Sequence, residues 1–151
     1  MPASEPAAGA VLGRDDLGFL LAKAAQRWNE LLAERFAAAG YADVRPSYGS
    51  VLLPLYERDG LRMGELARRA RLSKQTMTTM VRRLEDDGLV ERRPDPRDAR
   101  ASLIFLAPRS RRFEPVAAAT LRELDKLVRR RLGSESVAAV KAALRELIEL
   151  E

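Results

Sequence analysis

Residues 72–88 read LSKQTMTTMVRRLEDDG, and this stretch decides the fold. Met77, Met80, Val81 and Leu84 recur at steps of three and four, the spacing of one buried helix face. Ser73 stands in front of them as an N-cap, and Gly88 sits where a glycine stops a helix, so the pattern predicts a helix over Lys74–Asp87. At about 100° per residue the opposite side carries Gln75, Thr78, Thr79 and Arg82, flanked by Thr76 and Arg83. Gln and Arg make two-pronged contacts to base edges, Thr offers a methyl and a hydroxyl, and Lys or Arg neutralises phosphate. A solvated face would be richer in Glu/Lys ion pairs at a spacing of four. Here the acids are confined to Glu85, Asp86 and Asp87, so the expectation is that the N-terminal half enters a major groove while this end tilts away.

The flanks complete the unit. Arg62–Arg71 (RMGELARRAR) predicts a short helix burying Leu66, Ala67 and Ala70, joined to the first by a tight turn. Leu89–Arg93 and Ser102–Leu106 alternate as two short strands. Between them, Pro94–Arg100 (PDPRDAR) predicts an exposed loop from which Arg97 and Arg100 project, with Asp95 and Asp98 holding them by ion pairs or capping the loop backbone. Two helices in a tight turn followed by a β-ribbon with a basic tip make a winged helix-turn-helix, whose wing tip suits an adjacent minor groove.

Charge supports this placement. The chain has 151 residues and a net charge of +5, with 27 Lys+Arg against 22 Asp+Glu. Residues 61–112 hold 14 basic and 7 acidic side chains, a net of +7, and the remainder carries −2. A basic middle between near-neutral ends fits a polyanion-binding module inside a larger scaffold. There is no Cys and no His. That excludes disulfide frameworks, thiol nucleophiles and thiol switches, Cys/His metal sites and His acid–base chemistry. With no paired carboxylates at a telling spacing and no phosphate-cradling glycine loop, the chain reads as a non-enzyme without cofactor or metal.

Outside the unit, Asp15/Asp16 open a long amphipathic helix through Leu17, Leu20/Leu21, Ala24, Trp28, Leu31/Leu32 and Phe36, ending near Gly40. Pro46 starts the next helix, with Val51, Leu52 and Leu55 buried, and Asp59-Gly60 closes it. Pro108 begins a helix to about Leu132. Gly133-Ser134 breaks and recaps it, and Val137, Val140, Leu144 and Leu147/Ile148 stripe a last one. The fold expected is mainly α with a small β-ribbon: four helices, two strands, two helices. The expected divisions are an unstructured lead (1–13), an N-terminal dimerisation helix and loop (14–45), the DNA-binding winged helix (46–107) and C-terminal dimerisation helices (108–151). The terminal stripes are too long for so small an interior, which points to a homodimer. The lead lacks the basic start and apolar run of a signal peptide, and no segment is long and apolar enough for a membrane span, so the expected location is cytoplasmic.

Glu65-Leu66-Ala67, Leu72–Thr76, Val81–Glu85, Gly88–Arg92 and Asp95–Arg100 together resemble the multiple-antibiotic-resistance regulator (MarR) family. Motifs span about residues 61–107, and the helix order fits from Asp15 onward. Ala99 replaces a frequent Arg of the wing, and Ala107 stands where Thr often follows. The resemblance implies a homodimeric bacterial transcription regulator, usually a repressor, reading a pseudo-palindromic duplex with half-sites about one helical turn apart. It also implies a DNA affinity altered by a small ligand or by oxidation; without Cys, oxidation of a thiol is not the switch. The DNA-contacting candidates are Ser47, Ser73, Lys74, Gln75, Thr76, Thr78, Thr79, Arg82, Arg83, Arg93, Arg97 and Arg100. Ser47 is carried over as a phosphate donor. Effectors of similar proteins lie between the dimer helices and the DNA-binding lobe, where Trp28, Tyr41, Arg45 and Tyr48 are candidates for holding a small aromatic or phenolic ligand. Trp28 also lies on the apolar stripe of its helix, which favours a core role. The competing reading is an architectural protein that binds DNA without sequence preference.

Overall fold

The computed structural model describes residues 13–151, so the expected lead lies, but for Gly13, outside the described residues. Two compact units emerge, one ending at Ser47 and one running Tyr48–Glu151.

In the first unit, α1 spans Leu17–Ala38. Asp16 caps it, its carboxylate accepting the Phe19 N–H at 3.0 Å, which satisfies a donor that the first turn cannot pair internally. Leu32 and Phe36 are buried, whereas Leu17, Phe19, Leu20 and Leu21 are exposed.

Pro46–Tyr48 form a 3₁₀ turn rather than the first turn of an α-helix, and α2 follows at Gly49–Glu57. Next come β1 (Leu61–Arg62), α3 (Met63–Ala70), α4 (Lys74–Asp86), β2 (Val90–Asp95), β3 (Asp98–Leu106), α5 (Pro108–Leu132) and α6 (Ser134–Ile148). Val51, Leu55, Leu66, Met77, Val81, Leu84, Leu89 and Ile104 are the enclosed core, drawing on α2, α3, α4 and β3. Ala70 and Met80 are half-buried at its edge.

Three further expectations need correction. The ribbon is a three-stranded antiparallel sheet in the order β1-β3-β2, because Leu61 pairs with Ile104 and Arg62 with Leu103; a two-residue strand is too short to show a period. Pro94–Arg100 is not an open loop. The strands run on until Asp95 faces Asp98, leaving Pro96-Arg97 as the turn. Finally, Gly133, at φ 84°, is the residue preceding α6, and Ser134 lies inside the helix without a capping bond.

Asp59-Gly60 does more than end α2. The Asp59 carboxylate accepts the Leu106 N–H at 2.8 Å and meets Arg111 at 2.6 Å, tying the turn to the end of β3 and to α5. Gly60 has φ 71°, and a Cβ there would stand 2.8 Å from the Phe105 ring, so both backbone and space demand glycine. Along α5 and α6, Phe113, Thr120, Leu124 and Val137 are buried, while Leu121, Leu127, Leu132, Val140, Leu144 and Ile148 remain exposed in the single chain.

Candidate nucleic-acid interface

α4 is pinned at both ends. Ser73 Oγ accepts the Thr76 N–H at 3.1 Å and donates to Thr76 Oγ1 at 2.8 Å. At the exit, Gly88 takes φ 71°, its N–H reaches Glu85 O at 3.0 Å, and Leu89 N–H reaches Leu84 O at 2.8 Å. Those two bonds, with Leu84 and Leu89 both enclosed, form a Schellman stop. Met77, Val81 and Leu84 face the core, and Lys74, Gln75, Thr76, Thr79, Arg82 and Arg83 are exposed. Thr78 is half-buried. Its hydroxyl donates to the Lys74 carbonyl at 2.8 Å and that of Thr79 to the Gln75 carbonyl at 3.1 Å.

The three acids at the end of α4 have different surroundings. Glu85 accepts Arg92 Nη2 at 2.7 Å, and Asp87 accepts the Tyr48 hydroxyl at 2.6 Å. Asp86 is exposed. Arg92 thus offsets one of the three negative charges at this end of α4.

The wing tip is built on Asp95. This buried carboxylate accepts the Arg97 N–H at 2.9 Å and Arg62 Nε at 2.7 Å. The Arg97 amide, and then the Arg62 guanidinium, hold it below its ordinary pKa against the cost of burial. Asp98 accepts the Arg100 N–H at 3.0 Å, with the Arg100 guanidinium 3.6 Å away. Both aspartates thus cap the turn backbone, and the side-chain partner of Asp95 is Arg62. Arg97 and Arg100 are exposed, Arg100 at 94% of its side chain.

Strand alternation separates two neighbours. Arg92 turns toward α4 through Glu85, whereas Arg93, on the other face, lies 4.5 Å over the Phe105 ring and 3.0 Å from Glu91. Arg93 was a candidate and Arg92 was not; fixing the strand's facing required a register that the sequence alone did not reveal. Arg62, Arg68 and Arg92 join Lys74, Thr78, Arg100 and Ser102 around a concavity of about 600 Å³ between the starts of α3 and α4 and the wing. Arg62 and Arg68 were likewise missed, since their place opposite the wing depends on β1.

Ser47 is exposed. Of the ligand candidates, Trp28 and Tyr41 are half-buried and Arg45 exposed in the first unit, and Tyr48 begins the second with its side chain buried. No group of three or more acidic, His or Cys side chains among the described residues could hold a metal ion. No helix among them is long and apolar enough to cross a membrane.

Residues 61–106 thus form a helix-turn-helix with a three-stranded wing. The MarR family profile matches residues 46–102. The HTH-type transcriptional repressor Rv2887 of Mycobacterium tuberculosis is 34% identical over 93 residues, which cover 62% of this chain and 67% of that protein. The chain belongs to the MarR family. The HTH-type transcriptional regulator TtmR of Methylorubrum extorquens is 36% identical over 106 residues, 66% of this chain, and the match spans about half (53%) of that relative's length. A crystal structure of a probable transcriptional regulator from Pseudomonas aeruginosa superposes with TM-score 0.74 at 28% identity, covering 88% of this chain and 97% of that one. The PcaV regulator of Streptomyces coelicolor, solved with its natural ligand, shares the fold with TM-score 0.75 at 21% identity over 89% of this chain and 93% of its own. The MarR family is one of transcription regulators rather than enzymes. At Ala107 the backbone N–H bonds Leu89 O at 3.0 Å, and α5 starts without a side-chain cap. Ala99 is exposed on β3 beside Arg100.

Proposed function

We propose that this chain is the subunit of a homodimeric, sequence-specific bacterial repressor acting in the cytoplasm on double-stranded DNA. The observation that carries the reading is the exposed face of α4, with Gln75, Thr79, Arg82 and Arg83 side by side, beside a wing whose turn presents Arg97. Residues 46–107 are the DNA-binding part, and 14–45 with 108–151 supply the dimer through their exposed apolar side chains. Two such heads related by a two-fold axis read a pseudo-palindrome. The repressor sense is supported by the name of the M. tuberculosis relative. Competition between duplexes selected from the native genome and scrambled duplexes tests it. Preference for selected DNA by at least about a thousandfold supports the regulator, since specific binding exceeds non-specific binding by roughly that factor or more. Equal competition would leave only the architectural reading.

A small aromatic or phenolic effector that lowers DNA affinity is part of the same proposal, supported by the ligand complex of PcaV. Trp28, Tyr41, Arg45 and Tyr48 are its candidate contacts. Trp28 is the one tryptophan in the chain, so its emission reports on the first unit alone. Titrating substituted benzoates and phenols should shift that emission and release DNA together. Ligands that do neither would remove the effector.

A further inference from the structure

Asp87 has the wrong charge for its position. Backbone carbonyls leave partial negative charge at a helix C-terminus, and a carboxylate there is unfavourable. Yet Asp87 follows the last turn of α4, with its N–H on Arg83 O at 3.0 Å. Its carboxylate accepts the buried Tyr48 hydroxyl at 2.6 Å, a charge-assisted bond across 39 residues of sequence. Its carbonyl accepts Arg109 Nη1 at 2.9 Å, from the first turn of α5. One residue further on, Ser110 Oγ donates to Leu89 O at 2.5 Å, in the same place. The exit of α4 is thus clasped on one side by the residue that precedes α2 and on the other by the start of α5.

We infer that Tyr48 and Asp87 are positioning residues that set the angle of α4, and so the separation of the two reading helices in the dimer. The inference rests on the proposed DNA-reading role and goes beyond it to half-site spacing. Leverage makes the angle matter. From Asp87 back to Gln75 the helix is about 18 Å long. A swing of about 10° around Asp87 moves Gln75 by about 3 Å, close to the rise of one base pair. A loosened clasp therefore lets one protein accept operators of neighbouring spacings while each head still reads the same half-site.

Selection from a random duplex library needs no known operator. The wild type should enrich a two-fold motif with one spacing. Tyr48→Phe keeps the ring and loses the hydroxyl; Asp87→Ala removes the acceptor at a half-buried position and serves where the first variant folds poorly. Both should enrich the same half-site at two or more spacings, the preference for the wild-type spacing over one longer by a base pair falling about tenfold. Asp87→Asn retains an acceptor for the phenol and should keep the single spacing. A stability loss in Tyr48→Phe and Asp87→Ala with the wild-type spacing retained would overturn the inference, because a merely structural bond predicts that result. A wild-type library without any two-fold motif would overturn both the inference and the reading beneath it.

Discussion

Arg97→Ala is the perturbation whose size follows most directly from the wing. Asp95 accepts the Arg97 backbone N–H and Arg62 Nε, and the Arg97 side chain stands exposed at the tip. Binding to duplex DNA releases counterions, and each phosphate contact adds about −0.9 to the slope of log affinity against log salt. A dimer presents Arg97 twice, so the variant's slope should be shallower by about 1.8. Raising salt from about 50 to about 200 mM should then shrink the affinity gap between wild type and variant by about twelvefold. Fluorescence anisotropy with a labelled duplex across that range measures both slopes. Arg100→Ala should show a smaller change, because Asp98 lies 3.6 Å from its guanidinium and already offsets part of the charge. A variant slope equal to the wild type's, or a larger effect at Arg100 than at Arg97, would refute the placement of the wing in a groove.

Gln75→Ala and Arg83→Ala should change which half-site is selected, at about 1–3 kcal/mol per lost base contact, while leaving the salt slope of Gln75→Ala at the wild-type value. Gly60→Ala forces a Cβ onto Phe105 at 2.8 Å from a positive φ; backbone strain and overpacking together should cost about 2–4 kcal/mol in urea unfolding. Asp95 has a depressed pKa in the folded chain, so its ionised form contributes stability above the ordinary value of 3.8 and loses it as pH falls through and below that value. Wild type should therefore be more stable than Asp95→Asn near neutrality, with the difference closing in acid; a pH-independent difference would count against the Arg97 and Arg62 bonds as its source. Ala107→Ser supplies the cap that α5 lacks, in extended backbone at φ −74° and ψ 161°, and should raise stability by about 1 kcal/mol.

The helices were legible because their stripes repeat over several turns, and α4 could be delimited by chemistry at its ends, with Ser73 and Gly88 acting as read. Arg71 shows the limit of such signals. It closes α3 in left-handed backbone at φ 54°, a place where sequence rules look for glycine, and its side chain reaches Glu149 at 2.5 Å. The exposed face of α4 followed from periodicity alone, apart from Thr78, which is half-buried. The wing was less readable, since PDPRDAR has the composition of a loop and becomes strand only by pairing with partners that the sequence does not mark. The same blindness to pairing hid β1, the opposite facing of Arg92 and Arg93, and the place of Arg62 beside the wing. What sequence could not supply was long-range pairing: nothing in it marks Tyr48 as the partner of Asp87, 39 residues away.

Acids in a reading head need not weaken it. Glu65 pairs with Arg68 and Arg69, Glu85 with Arg92, and Asp95 with Arg62. Each pair cancels charge at long range and fixes a guanidinium in place at short range. A guanidinium has five donors in a planar fork, so one edge can engage a carboxylate while another stays available to a phosphate. An ammonium, a mobile point charge, gives less directional control in such a pair. Arg62, Arg68 and Arg92 all border the concavity between α4 and the wing, which the phosphate strand separating a major from an adjacent minor groove has to cross if α4 and the wing occupy those grooves. Lys74 stands among them at the start of the helix. Of 27 basic residues only four are Lys, a ratio that as a bare count says nothing about function. At these ion-paired positions it acquires a local reason: arginine can be held by the protein and still meet DNA.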